Sequence, residues 1–275
     1  MSSQTIFITG CSSGIGYATA LELKKRGHRV ICSARKVDDV ERLNKEGFEA
    51  IQLDLARSDS IQRAVAALLK MTDGEIDAVF HNGAYGQPGA VEDLTRDVLK
   101  AQFETNFFGT HELTNLLIPV MRQQGHGRII YNSSVLGFVP MRFRGAYNAS
   151  KFALEGLAST LGLELHGTGI HVVLIEPGPI ESKFRQNAYR MFKRNIDAEN
   201  SVHKSAYQEI EQRLQQQGPV VPFTLPAAAV ATKVIHAVES KRPKLHYYVT
   251  FPTYLFGFLK RILPAAWLDP ILRSV

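Results

Sequence analysis

Apolar, β-branched runs of five to seven residues alternate with longer amphipathic stretches through the first two thirds of the chain. TIFIT (5–9) precedes 15–26, RVICS (29–33) precedes 37–46, EAIQL (49–53) precedes 58–71, and IDAVF (76–80) precedes 95–122. RIIYNS (128–133) then precedes 146–166, and IHVVLIE (170–176) precedes a long helical region. Strands so continuously apolar are covered on both faces, and their alternation with helical patterns is the signature of right-handed βαβ units. The predicted fold class is therefore α/β, a single Rossmann-type doubly wound parallel sheet of about seven strands with helices on both faces.

No repeat, low-complexity stretch or Gly/Ser linker interrupts residues 1–180, so one domain over 1–275 is expected. Within it, 1–180 form the core, 181–225 a helical lid, and 240–275 a basic aromatic C-terminal tail. The stretch 182–217 is polar and helix-prone, contains Tyr189, Phe192 and Tyr207, and no strand is predicted before about Tyr247. A helical excursion after the sixth strand lies at the carboxyl edge of the sheet, where α/β folds bind ligands.

Charge changes this picture little. The net charge is +6 and the pI near 9.3. Between Ser240 and Val275, however, Lys241, Arg242, Lys244, Lys260, Arg261 and Arg273 stand against Asp269 alone, which places +5 there. The basicity belongs to the tail, and no nucleic-acid partner is expected. The tail also carries Tyr247, Tyr248, Phe251, Tyr254, Phe256, Phe258 and Trp267. Its longest apolar run, 254–259, falls far short of the roughly 20 residues that span a bilayer. It could touch a membrane surface, cap the cleft, or pack on a partner subunit. A strand-like run beginning at Thr5 leaves no room for a signal peptide, so a cytoplasmic location is expected. There Cys11 and Cys32 would remain thiols, with neither a disulfide nor a metal site.

Thr9-Gly10-Cys11-Ser12-Ser13-Gly14-Ile15-Gly16 joins the first strand to the first helix. Glycines in this spacing tighten the turn and let backbone N–H groups approach a pyrophosphate at a helix N-terminus. The second strand ends Ser33-Ala34-Arg35-Lys36, where an NAD site usually places a carboxylate. A guanidinium there can pair with a 2′-phosphate, and Ser12 could add a hydrogen bond, so NADP is favoured; a solvated Arg-Lys pair is the alternative. Asp54, ending the third strand, can accept from the adenine amine or be merely an exposed strand-end carboxylate.

Tyr147 and Lys151 stand four apart at a helix start and share one face. A neighbouring ammonium favours the phenolate of a tyrosine asked to move a proton near neutrality. The chain contains a second copy of the spacing, Tyr189 and Lys193, but only the first has a hydroxyl thirteen residues upstream, Ser134, at the end of the fifth strand. The second pair is read as structural or substrate-lining.

Taken together, residues 4–182 resemble the classical short-chain dehydrogenase/reductase family. The resemblance rests on TGCSSGIG (9–16), Asp54, the asparagine in Glu104-Thr105-Asn106-Phe107, Ser134, the YNASK run (147–151) and IEPGPI (175–180). It implies Tyr147 as proton donor or acceptor, Ser134 polarising the substrate oxygen, and Lys151 binding the nicotinamide ribose while tuning Tyr147. It further implies that Asn106 holds a water in the proton relay and that Pro177, Gly178 and Ile180 lie against the nicotinamide. Homodimers or homotetramers are also expected. One departure is visible: His81-Asn82-Gly83-Ala84 stands where the family has Asn-Asn-Ala-Gly. Asn82 is retained as a cofactor residue. Either Gly83 compensates for Ala84 through a shifted loop, or cofactor affinity suffers. His81 reads as structural.

The motifs look most like the hydroxysteroid and retinol dehydrogenase branch and its bacterial aldehyde and ketone reductases, which favours apolar substrates. Leu136, Phe138, Val139, Met141, Phe143, Phe184, Tyr189 and Phe192 are candidate pocket residues. The expected activity is NADPH-dependent reduction of an apolar aldehyde or ketone. The alternatives are an alcohol dehydrogenase working in the oxidative direction and an NADP-binding regulatory protein without turnover.

Overall fold

In a computed structural model, which describes residues 3–216, 218 and 221–273, the apolar runs become strands. Gln217, where the polar helix-prone stretch of the predicted lid ends, and the chain ends, Met1 and Val275 included, lie outside the described residues. The strands are β1 (Thr5–Ile8), β2 (Arg29–Ala34), β3 (Glu49–Gln52), β4 (Ala78–His81), β5 (Gly127–Asn132) and β6 (Ile170–Glu176). A short pair, β7 (Ile180–Glu181) and β8 (Leu225–Pro226), precedes β9 (His246–Tyr248). Seven strands form one parallel sheet in the order β3-β2-β1-β4-β5-β6-β9. This is a Rossmann-type sheet, and its order reverses between β1 and β4, where a crevice opens at the strands' carboxyl ends.

The helices are α1 (Gly14–Lys25), α2 (Val37–Lys45), α3 (Ser58–Met71), α4 (Arg96–Phe103), α5 (Gly109–Gln124), α6 (Gly145–Glu164), α7 (Phe184–Asn195), α8 (Lys204–Gln215), α9 (Ala227–Glu239), α10 (Phe251–Ile262) and α11 (Ala265–Arg273). Side-chain alternation divides them between the faces. Ile6 and Ile8 join a core with Leu23 of α1 and Val234 of α9. Phe7, between them, joins the opposite core with Leu68 of α3, Leu117 of α5 and Leu154 of α6.

Two expectations need correction. The helix predicted over 95–122 is interrupted by a π-type turn at Glu104–Phe108. There Asn106 is tied to the Tyr85 backbone, and Gly109 passes so close to the Leu55 carbonyl oxygen that a Cβ would lie 1.8 Å from it. The β7/β8 pair also puts short strands before Tyr247, pinning the start of the lid to its end. Helices α7 and α8 carry their own small core of Ala188, Phe192, Tyr207 and Leu214, and the tail folds as α10 and α11. No helix among the described residues is long and apolar enough to cross a membrane.

Candidate active site

The turn from β1 to α1 is built around glycines whose backbone or close packing a side chain would strain. Gly10 and Gly14 have φ of +72° and +62°, and a Cβ on Gly16 would lie 2.5 Å from the Gly10 carbonyl oxygen. The helix therefore starts tight against the strand. Ser13, its N-cap, makes no side-chain capping bond, and the first turn of α1 holds no acidic residue. The positive end of the helix, flanked by Ser12, Ser13, Gly14 and Ile15, is left available to an anion.

Asn82 ties this turn to the opposite wall. Its amide nitrogen donates to the carbonyls of Thr9 and Gly10 at 3.0 and 3.1 Å, while the backbone N–H groups of Asn82 and Gly83 donate to the Thr9 hydroxyl. Its oxygen accepts from Asn132 Nδ2 at 3.0 Å, and the Asn132 carbonyl accepts from Lys151 Nζ at 2.6 Å. One chain of hydrogen bonds thus runs from the glycine turn to Lys151. The loop after β4 tolerates its unusual sequence. Gly83 packs so closely that a Cβ on Gly10 would meet its Cα at 2.8 Å, and the described non-glycine residues with positive φ are Asp73, Phe143 and Phe223, which leaves Ala84 unstrained. His81 is buried, bonded to Thr114 Oγ1 at 3.0 Å and stacked on Tyr131. Burial pushes its pKa down to about 3, so the ring stays neutral.

Tyr147 projects from the first turn of α6 beside Ser134, two residues past the end of β5. Asn148 fixes the loop between them, donating to the carbonyls of Leu136 and Val139 at 3.0 Å each and accepting from Met141 N. Ser150 donates to the Tyr147 carbonyl and accepts from Asn106 Nδ2 at 3.2 Å. Asn106 spends its amide on Ser150 and the Tyr85 backbone, so it braces the π-type turn against α6. Burial pushes the Tyr147 phenol up to about 12, with the Ser134 hydroxyl pulling the other way. Burial also pushes Lys151 down to about 8, partly offset by the Glu155 carboxylate. In the protein alone, then, desolvation outweighs the lowering of the phenol that the Tyr-Lys spacing suggests.

Residues 4–193 match the family model for short chain dehydrogenases. The chain belongs to the short-chain dehydrogenase family. As a member of it, it is an oxidoreductase similar to the uncharacterized oxidoreductase YbbO of Escherichia coli K12, at 40% identity over 98% of this chain and 94% of that one. It is also similar to human retinol dehydrogenase 8, at 35% identity over 66% of this chain and 60% of that one. Among solved structures, actinorhodin polyketide ketoreductase with NADPH superposes with a TM-score of 0.74 at 27% identity, over 90% of this chain and 95% of that one. Other dehydrogenases of similar fold have been solved with NAD or with NADP.

In this short-chain dehydrogenase a cavity of about 850 Å³ runs from the glycine turn, past Ser134, Tyr147 and Lys151, to the lid and the tail helices. Gly10, Ser12, Ser13, Gly14, Ile15, Asn82, Gly83, Pro177, Gly178 and Ile180 all border it. Gly16, Arg35, Asp54 and Asn106 do not. Arg35 is exposed just past β2, and Asp54 Oδ1 accepts from Ala56 N at 3.0 Å. Of the expected apolar lining, Leu136, Val139, Met141 and Phe184 are present, and the Phe184 ring meets Tyr147 edge-on at 5.3 Å. Phe138, Phe143, Tyr189 and Phe192 are not. Phe138 packs on Tyr248, Phe143 on Tyr207, Phe192 inside the lid, and Tyr189 bonds Glu211. Phe223, Leu255 and Leu272, which the sequence did not single out, take their place with Phe251 and Phe256 of the aromatic tail. Behind Ser133, outside the cavity, Glu155, Glu176 and His246 bring ligand-type atoms within 4.8 Å of one another, and burial pushes Glu155 up to about 7.

Proposed function

We propose that this oxidoreductase reduces aldehydes or ketones of apolar compounds with NADPH. The observation that carries the reading is the Tyr147 hydroxyl, buried beside Ser134 in an apolar cavity and joined by one helix to a Lys151 that Asn132 holds in place.

The residues present fit the cofactor. Gly10, Ser12, Ser13, Gly14, Ile15 and Gly16 would receive the pyrophosphate at an uncompensated helix N-terminus. Asp54 would face the adenine, and Asn82 and Gly83 the adenosine ribose. Pro177, Gly178 and Ile180 would lie against the nicotinamide. Arg35 supports NADP over NAD: among the described residues its guanidinium has no ion pair, and no carboxylate competes for a 2′-phosphate.

When bound, the reduced nicotinamide supplies the hydride. Tyr147, held protonated by burial, donates the proton that the substrate oxygen gains, and Ser134 donates a hydrogen bond to that oxygen as its charge develops. Lys151 binds the nicotinamide ribose, and its charge helps Tyr147 release the proton. Asn106, bonded through Ser150 to the Tyr147 carbonyl, braces α6 and lies where a proton relay toward solvent would begin. Burial leaves Tyr147 in the protonation state from which reduction starts.

The tail helices support the capping reading, since Leu255, Phe256 and Leu272 close one side of the cavity. We read the protein as a cytoplasmic homodimer or homotetramer, which light scattering of the purified chain tests. The activity test is a panel of aliphatic aldehydes and ketones with NADPH and NADH. Turnover with NADPH is expected, and Arg35→Asp should shift the NADPH/NADH preference at least about tenfold toward NADH. No oxidation of either cofactor by any carbonyl would overturn the reading.

A further inference from the structure

The apolar cavity contains a charge that an apolar substrate does not need. Apart from Tyr147 and Lys151, the ionisable side chains that border it among the described residues are Arg144, Lys183, Arg185 and Arg213 against Glu181 alone. The three arginines come from separate elements. Arg144 caps α6, three residues before Tyr147, Arg185 lies in the first turn of α7, and Arg213 in the last turn of α8. They are close enough to repel: the Arg213 charge acts on both Arg144 and Arg185.

Arg144 is the most exacting of the three. Its Nη1 is buried with no hydrogen-bond partner, and burial, with Arg213 adding to it, pushes the guanidinium down to about 10. Arg213 has no ion pair among the described residues, and Arg185 spends one nitrogen on the Gly218 carbonyl. A buried donor without an acceptor is destabilising, more so when charged, and like charges brought together add to that. Such an arrangement is relieved by an anion entering the cavity. A planar carboxylate suits guanidinium groups, which bind it through paired hydrogen bonds.

We propose that the substrate is an oxo acid, an apolar carbon chain that bears both the carbonyl reduced at Tyr147 and a carboxylate held by Arg144 and Arg213. This rests on the reductase reading above and narrows its substrate class. The chain's apolar body lies along Phe223, Leu255 and Phe256, and the charged end turns toward the arginines. The anionic groups of the dinucleotide are the competing source of negative charge. They are provided for by the uncompensated N-terminus of α1, with Ser12, Ser13, Gly14 and Ile15.

The test compares kcat/KM, with NADPH, for straight-chain oxo acids from 4-oxobutanoate to 10-oxodecanoate, each against its methyl ester and the matching unsubstituted aldehyde. For at least one chain length the acid should exceed its ester by about tenfold or more, mostly through KM, as one charge-assisted pair implies. Arg144→Met and Arg213→Met should each reduce that ratio severalfold, Arg144→Lys should retain part of it, and NADPH affinity measured by fluorescence should stay within about twofold. Circular dichroism and NADPH binding confirm that the variants fold. Equal turnover of acid and ester at every length overturns the inference while leaving the reductase reading intact. So does an unchanged ratio in both Met variants, or a loss of NADPH affinity in place of a change in ratio. Absence of turnover with all three substrate types would instead remove the reductase reading on which it rests.

Discussion

Two tyrosine-lysine pairs with identical spacing sit on helices of this protein, and their surroundings set them apart. Tyr189 and Lys193 lie on α7 against α8, where Glu211 serves both: the tyrosine donates to it at 3.0 Å and the ammonium pairs with it at 3.1 Å. Every strong group there is matched, and Lys193 is more than half exposed. Tyr147 and Lys151 are buried on α6, no carboxylate among the described residues bonds to either, and the lysine is held by a neutral backbone carbonyl. A satisfied pair ties two helices together. An incompletely satisfied one, with its phenol beside a cavity, is placed to act on something else.

Removing the charge at each lysine should break the comparison most sharply. Lys151→Met is expected to lower kcat/KM for carbonyl reduction about 10²–10⁴-fold, the range of a lost proton-transfer partner, while Lys193→Met should leave it within about twofold, as an exposed ion pair predicts. Equal effects would show that environment does not distinguish the pairs. Next, Asn132→Ala takes away the amide that links Lys151's carbonyl partner to Asn82. Loss of one buried hydrogen bond, worth about 1–3 kcal/mol, should raise the NADPH dissociation constant and reduce kcat by about tenfold. A variant with wild-type kinetics would dissociate the glycine turn from the catalytic wall.

The pH profile gives a smaller effect with a definite sign. Tyr147, pushed up to about 12, keeps its proton throughout the working range, and Lys151, pushed down to about 8, loses its charge above that pH. Reduction should therefore be level below about pH 8 and fall above it. Glu155, pushed up to about 7, is the nearest carboxyl to gain or lose charge in the same window, and Glu155→Gln should move the fall to lower pH, because the carboxylate is what raises Lys151. A profile level to pH 10 would contradict the environment read for Lys151.

Locally encoded features were legible from residues alone. The glycine turn, the strands, and the placing of Tyr147 and not Tyr189 beside Ser134 all depend on spacing within one or two elements. The bracing by Asn132 and Asn148 was not foreseen, although both lie within motifs already singled out. Asn148 donates to backbone carbonyls, which sequence does not mark, and the amide of Asn132 meets that of Asn82 from a different strand end. The lid was the least legible region. Phe143 and Phe192 have the right character for a pocket but turn into the lid's own core with Tyr207. Arg144, Arg185 and Arg213 converge only because two helices fold over the cavity, and no periodicity within either helix shows that.

The most direct measurement is single-turnover NADPH oxidation by decanal in Tyr147→Phe and Tyr189→Phe, with NADPH binding measured on the same samples. Tyr147→Phe should bind NADPH normally and lose at least about 10²-fold in rate, while Tyr189→Phe should stay within about twofold. A Tyr147→Phe enzyme that still turns over near the wild-type rate would contradict the assignment of the proton to Tyr147.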